Sequence, residues 1–372
     1  MSTSFLRAPA DGFTSPFPET HFDAILVVSF GGPEGMDDVI PFLENVTRGR
    51  NVPRERLEEV AHHYELFGGI SPINAQNRDL IAALRTELDD HGIALPIYFG
   101  NRNWNPFLAE ALGDMAAGGI ERALAFFTSA YSSYSGCRQY REDLFNAQQE
   151  VGARAPEVLK TRAFFNHPGW IEANADHVRA ALAAFPAGDR VHLAFTAHSI
   201  PRAMAQSCRY EDQLHESARL VAEAVSVGSG DTSLVYQSRS GPSRIPWLEP
   251  DILDHLRMLA KQGIENVVIS PIGFVSDHLE VLFDLDIEAQ EVAHDLGLKL
   301  VRASSASTHP AFVGMIRSLI EERIGTAVGR PAVGRYAASH DTCPTDCCLP
   351  GTGQPSPWAS SEARGSLPPD GR

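Results

Sequence analysis

Three carboxylates spaced four apart, Glu280, Asp284 and Glu288, are the first residues whose pattern could do chemistry. They follow Glu265-Asn-Val-Val-Ile-Ser270, a short β-branched run of the kind that forms a buried parallel strand. Past Gly273 the apolar period changes, and Leu279, Leu282, Phe283 and Ile287 recur at helical spacing. On such a helix the acids form one ridge. Like charges at that spacing repel by roughly 0.2–0.5 kcal/mol per pair, so the ridge points to a bound cation. The plainer alternative is a capped, solvated helix. In it Asp277 is the N-cap, Glu280 closes a capping box, and Asp284 and Glu288 face water.

His198 is the second candidate. Phe195-Thr-Ala-His198-Ser-Ile-Pro201 reads as a strand end breaking into a turn. A single histidine there is more often a hydrogen-bonded structural residue than a ligand. Two titratable groups at neighbouring strand ends nevertheless face one cleft, the usual ligand site of an open α/β sheet. A neutral imidazole opposite a carboxylate can take protons and hold a divalent metal.

Cysteines supply the third pattern. Of Cys137, Cys208, Cys343, Cys347 and Cys348, three crowd into Cys343-Pro-Thr-Asp-Cys347-Cys348. The first 20 residues hold no apolar core long enough for a signal peptide, and clustering without secretion favours metal binding over disulfides. A disordered, cysteine-bearing tail is the alternative. Cys208 falls in or before a helix and is expected to bind no metal.

These groups need a scaffold, and the alternation of strand-like and helical segments provides one. Strands are expected at 23–30, 97–100, 123–128 and 157–162, then at 191–196, 232–237, 265–270 and 299–303. Helices are expected at 37–45, 54–66, 73–90 and 137–151, then at 170–184, 210–225, 251–261, 280–296 and 311–324. Such alternation implies parallel sheets with right-handed crossovers. The expected fold is α/β: two doubly wound, Rossmann-like parallel-sheet domains with the active site in the cleft between them. Domain 1 covers 21–165 and domain 2 covers 166–308. A C-terminal helix and linker at 309–335 return to domain 1, ahead of a cysteine-rich segment at 336–350. Residues 1–20 and 351–372 are expected to be disordered. Gly31-Gly32-Pro33-Glu34-Gly35 lacks the G-x-G-x-x-G spacing and is not a dinucleotide loop; a glycine turn admitting a large flat ligand fits better.

Composition narrows the partners. A formal charge of -16 over 372 residues excludes a nucleic-acid binder, which needs a basic face. With 43% hydrophobic residues a sizeable core is affordable. No apolar run approaches the length of a transmembrane helix, and a cytoplasmic location is expected.

With these residues in place the chain resembles the ferrochelatase family, whose members insert Fe(II) into a porphyrin. Thr-Ala-His198-Ser-Ile-Pro and Pro-Ile-Gly-Phe-Val-Ser-Asp-His-Leu-Glu280 are similar to its two signature motifs. Gly68-Gly69-Ile-Ser71-Pro72, Tyr131-Ser-Ser-Tyr134-Ser, Tyr236-Gln-Ser238 and Pro246-Trp-Leu-Glu-Pro250 also match, so the likeness runs from about Asp23 to Gly325. The resemblance implies that His198 and Glu280 handle pyrrole protons and metal, with Asp284 and Glu288 as a path behind them. It implies substrate contacts at Phe30, Arg48, Tyr64, Ser71 and Tyr131, with Arg48 and Ser71 on propionates. Two departures stand out: Phe30 replaces a Tyr able to approach the metal, and His63 replaces a propionate-binding Arg. The likeness is greatest to the actinobacterial coproporphyrin III branch. That implies coproporphyrin III as substrate, with protoporphyrin IX second, and a downstream haem-synthesis enzyme as a possible partner. No apolar membrane-docking lip is evident at 45–51. Rival readings are a non-catalytic tetrapyrrole- or metal-binding protein and a cobalt chelatase. The resemblance also implies a [2Fe–2S] cluster on Cys137, Cys343, Cys347 and Cys348, with structural zinc as the alternative, since four thiolates suit either.

Overall fold

An unbroken apolar run, Ala24-Ile-Leu-Val-Val-Ser29, forms β1 with every residue buried, as expected of a strand covered on both faces. The computed structural model describes residues 21–49, 52–241, 244–344 and 346–351. The expected tails at 1–20 and 352–372, and positions 50–51 of the 45–51 stretch, lie outside the described residues.

Strands β2 (Ile97–Asn101) and β3 (Arg122–Phe127) flank β1 in parallel, and β4 (Glu157–Lys160) lies outside β3. The second sheet repeats the plan with β5 (Val191–His198), β6 (Thr232–Gln237), β7 (Asn266–Ser270) and β8 (Lys299–Arg302). The orders are β2-β1-β3-β4 and β6-β5-β7-β8. Each chain path leaves its first strand on one side and returns on the other. The carboxyl ends of β1 and β3, and of β5 and β7, therefore border crevices open to a ligand.

Around the first sheet pack α1 (Met36–Val46), α2 (Arg54–Glu65), α3 (Ile73–Asp90), α4 (Leu108–Ala117) and α5 (Gln139–Val151). Around the second pack α6 (Pro168–Leu182), α7 (Arg202–Ala205), α8 (Tyr210–Ala224) and α9 (Ile252–Lys261). The chain continues through α10 (Leu279–Val281), α11 (Ala289–Asp295) and α12 (Pro310–Ile324). Helix α12 starts with Pro310 behind a His309 cap and stops at Gly325, whose φ of 82° is left-handed.

Three expectations change. Helix α4 was not expected, yet Leu108, Ala111, Leu112 and Met115 fall at helical spacing and are buried. The helix expected at 280–296 is α10 and α11 joined by a π-helical stretch, Leu282–Glu288. Similarly, Cys137 lies in a π-helical turn, Tyr134–Arg138, ahead of α5. A π turn closes i→i+5 bonds and so holds one more residue than an α turn.

One apolar core runs through both sheets, from Phe22, Ile25 and Phe126 to Leu193, Phe195, Val268 and Ile320. A buried ion pair lies beside it. Arg162, following β4, places Nε and Nη2 each 2.8 Å from the two carboxylate oxygens of Glu322 on α12, and Nη2 also donates to Pro331 O. Glu322 in turn accepts from Arg330, whose Nη2 reaches Ser339 O and Asp341. The chain after α12 is thus fastened to the first sheet through buried charge. Replacing one member of such a pair leaves the other unpaired. Arg162→Met should lower unfolding free energy by about 3–5 kcal/mol, read from the denaturant midpoint; a loss within error would show that the pair is dispensable.

Candidate active site

His198 is the last residue of β5. Its Nδ1 lies 2.5 Å from Ser199 O, which places the ring proton there and leaves the Nε2 lone pair free. Nε2 is 3.5 Å from Glu280 Oε2. Tyr210 holds the same strand end by donating to His198 O at 3.0 Å.

Glu280 reaches this position because the segment after β7 lies directly on β5. Gly273 N donates to Thr196 O at 2.9 Å. A Cβ on Gly273 would stand 2.6 Å from Ala197 Cα, so only glycine permits the approach. The segment is then clamped by Arg302 on β8, a residue the sequence reading missed. Its guanidinium takes Asp277 at 3.2 Å and both oxygens of Asp286, at 2.6 and 2.8 Å. Asp277 is therefore not the N-cap of this helix. That position belongs to His278, whose side chain makes no capping bond, and Glu280 closes no capping box. The Asp277 N–H donates across to Gln76 on α3.

Behind Glu280 the acids turn inward. In an α-helix, residues four apart drift about 40° around the axis at each step; the slower winding of the π stretch offsets that drift. Asp284 accepts from the Ser238 hydroxyl and from Gln237 Nε2 at 3.4 Å. Ser238 holds a left-handed φ of 60°, a strained conformation for serine that is often found at functional sites. Burial raises the Asp284 carboxyl to about 7, with the neighbouring Glu280 and Glu288 charges adding and the Ser238 bond opposing. Glu288 is also raised, by burial and then by Asp251 and Glu291. Asp251, the N-cap of α9, is raised by its own burial. The expected solvated ridge is thus a graded row: Glu280 is exposed, while Asp284 and Glu288 are half-buried.

From the other side, α1 and α2 form a cap. Leu279 of α10 inserts among Val39, Phe42, Leu57 and Tyr64, and His63 stacks on Phe283 with centroids 3.8 Å apart. Burial lowers the His63 pKa. Phe30 packs edge-on against Phe42 at the same cap, with Arg102 over its ring. Tyr64 is buried there, its hydroxyl raised well above the tyrosine range by burial. Arg48 is exposed and donates to Asn45. Ser71 and Tyr131, expected as substrate contacts, are both buried. Ser71 is 4% exposed beside Gly32, and Tyr131 is 3% exposed with its hydroxyl donating to Ile272 O.

The cysteines gather at a second place. His340 Nδ1 or Nε2 and the sulfurs of Cys343 and Cys347 lie within 4.8 Å of one another. Cys137 is neighbour to Cys343, which together with burial raises its thiol pKa, and Cys348 Sγ is 3.4 Å from Cys347 Sγ. Cys208 instead donates back to Met204 and Ala205 carbonyls in its own turn. His340 had no place in the sequence reading, because a histidine three residues before a cysteine is not distinctive until the fold brings Cys137 alongside.

The sequence matches the family model described as Ferrochelatase over residues 22–324. A ferrochelatase of Rhodopirellula baltica is 59% identical over 332 residues, which cover 88% of this chain and 93% of that protein. Coproporphyrin III ferrochelatases of Nocardia farcinica and Streptomyces griseus are 51% identical over 342 residues and 50% over 349. Each alignment covers 88% of this chain, and 97% and 93% of the relative.

Two substitutions probe the geometry. Gly273→Ala should cost about 1–3 kcal/mol through overpacking against β5, seen as an earlier denaturant midpoint; an unchanged midpoint would mean that the approach is not tight. Asp284→Asn tests the carboxyl row through pH. Because the folded state holds the Asp284 proton up to about pH 7 and the unfolded chain releases it near 3.8, wild-type stability falls as pH rises between those values. The Asn variant should therefore melt several degrees higher than wild type at pH 8, with the gap closing towards pH 4. A gap independent of pH would refute the raised carboxyl.

Proposed function

The chain belongs to the ferrochelatase family, and from that premise we propose that it inserts Fe(II) into coproporphyrin III to give coprohaem in haem biosynthesis. The observation that carries the assignment of roles is the 3.5 Å approach of His198 Nε2 to Glu280. Metallation requires two pyrrole protons to leave and a metal to reach the macrocycle face. His198 presents an unprotonated nitrogen for the first task, fixed in that tautomer by Ser199. Glu280 opposite it offers an anionic oxygen to the proton or to Fe(II), the reaction's second substrate. Asp284, poised near neutral pH, and Glu288 behind it can take protons onward without accumulating charge.

Substrate choice follows from the carboxylates of the porphyrin. Arg48 is exposed with a planar donor fork suited to a propionate, and the Phe30 ring at the cap offers an apolar wall. The printed names of the Nocardia and Streptomyces relatives favour coproporphyrin III. Protoporphyrin IX is the second reading, because the name of the Rhodopirellula relative specifies no porphyrin. Among the described residues no helix is long and apolar enough to cross a membrane, and a cytoplasmic setting with transfer of product to a downstream haem-synthesis enzyme is part of this proposal.

A [2Fe–2S] cluster in the cysteine group completes it. Soft thiol donors from two distant parts of the chain converge there, which suits iron–sulfur or zinc binding. Cys137, Cys343 and Cys347 supply three ligands, and the fourth is Cys348 or His340. The bound cluster would supply one-electron chemistry and a cross-link between the C-terminal segment and the first sheet.

Anaerobic assays with Fe(II) and each porphyrin in parallel test the reading. Coprohaem formation should exceed haem formation, and His198→Ala should reduce it by about 10²–10⁴-fold while the fold is retained. No metalloporphyrin from either substrate would refute the activity, and an unimpaired variant would remove His198 from the proton transfer.

A further inference from the structure

The first turn of α3 is fastened to both halves of the molecule. Just ahead of it, Ser71 N donates to Pro33 O at 2.9 Å. Asn74 Nδ2 donates to Gly32 O at 3.0 Å and to Asn105 O at 3.3 Å, and Asn101 Nδ2 donates to Asn74 Oδ1 at 3.1 Å. Asn77 Nδ2 reaches Ser29 Oγ, at the end of β1, at 2.8 Å. Ser29, Asn74, Asn77 and Asn101 are all fully buried. These amides lock the start of the helix to the glycine turn that follows Phe30.

Gln76, two residues past Asn74, serves the other half. Its Oε1 accepts from Asp277 N at 2.8 Å; because the partner is a donor, the amide oxygen and not its nitrogen must point there. From its own side the stretch between β7 and α10 is held by Gly273 N on Thr196 O, by Ser307 N on Val275 O, and by Arg302 on the Asp277 carboxylate. From the first half Tyr131 holds Ile272 O near its start, and Gln76 holds Asp277 N near its end. His278, the N-cap of α10, makes no capping bond with its side chain. The start of α10, and with it Glu280, therefore takes its position from the way Asp277 is held.

We propose that Gln76 is a positioning residue for metal insertion: by accepting from Asp277 N it sets the register of Glu280 against Phe30 and Arg48, the groups of the first half assigned to the porphyrin. The proposal rests on the function above for the identity of the substrate, and on the hydrogen bond for the residue that acts. Asn74 and Gln76 share one helical turn, so the glycine turn behind Phe30 and the segment that carries Glu280 are spaced by a single rigid element. Without the Gln76 acceptor, alignment with the first half would pass to the apolar contacts of Leu279 and Phe283 under the cap, which are not directional. A shift of about 1 Å between a reacting group and its substrate can cost about 100-fold in rate.

The test uses the full-length protein with two variants. Gln76→Met keeps the length of the side chain and removes the acceptor, whereas Gln76→Glu keeps an acceptor oxygen. Hydrogen exchange read by mass spectrometry over residues 274–280 reports the tether, and anaerobic steady-state assays with Fe(II) and coproporphyrin III report the chemistry. Gln76→Met should exchange faster in that segment and lose kcat by about 10- to 100-fold, with KM for the porphyrin and the circular dichroism retained. Gln76→Glu should restore slow exchange and a kcat near wild type. An unchanged kcat in Gln76→Met despite faster exchange would make the contact a structural tether only and overturn the proposal. Equal loss of kcat in both variants, or unchanged exchange in Gln76→Met, overturns it too. A wild type that forms no metalloporphyrin overturns the proposed function instead; exchange that quickens in Gln76→Met alone then still supports Gln76 as the residue holding the Glu280 segment.

Discussion

The hydrogen bond from Gly273 N to Thr196 O is the contact on which the site depends. Strands β5 and β7 are neighbours in the sheet, but neighbouring strands alone do not bring their following loops together. The chain leaving β7 must cross the end of β5 at backbone distance, and a side chain at position 273 would collide with Ala197. Once the crossing is made, Glu280 arrives opposite His198, two residues past Thr196. Arg302 then fixes the far side by holding Asp277 before the helix and Asp286 within it. The geometry is thus set by one backbone contact and one charge clamp, both away from the reacting groups.

A comparable economy governs the C-terminal segment. The Arg162–Glu322 pair is fully enclosed, and its cost in desolvation is offset only because further groups satisfy both members, Arg162 Nη2 donating to Pro331 O and Glu322 accepting from Arg330. Arg330 carries the chain of contacts outward to Asp341, and the same segment then reaches the turn that follows α7 through the Ser207 bond to Leu349 O. Because α7 begins four residues past His198, the cysteine group and the cleft share a mechanical neighbour. The charge network orders the segment that carries the thiols.

Much of the fold was legible in the sequence. Apolar runs alternating with helical patterns placed all eight strands, most plainly the central β1, β5 and β7, whose burial leaves a continuous signal. Helix α3 was legible from Leu80, Leu84 and Leu88 at four-residue spacing, and His198 and Glu280 from their positions at strand ends. What was hidden depends on partners distant in the chain. Arg302 reads as an ordinary strand-end cation until Asp277 and Asp286 fold against it. Tyr131 reads as an available hydroxyl until Ile272 O accepts its hydrogen bond. His340 acquires meaning only when Cys137, some 200 residues earlier, is brought beside it. The π stretch at 282–288 is hidden because seven residues are too short a window for the apolar period to separate a π turn from an α turn.

The two π-helical segments mark the two chemical sites, one carrying Asp284 and the other Cys137. A π turn gives up regular hydrogen bonding and packing, and such a segment persists where the surroundings compensate for it. At 282–288 the compensation is Arg302 holding Asp286 and the Ser238 hydroxyl holding Asp284. At 134–138 it is Ser133 capping Gly136 N, together with the Arg138 pairing to Glu142. In each case the widened turn re-aims a side chain that an α-helix would carry past its partner. For the acids this has an electrostatic consequence. A straight solvated ridge would keep three carboxylates ionised and mutually repelling, whereas the inward turn buries Asp284 until its proton affinity reaches the neutral range. A row that begins with an exposed anion and continues into a carboxyl that is half protonated can accept a cation at its mouth and a proton further in, without filling the site with negative charge.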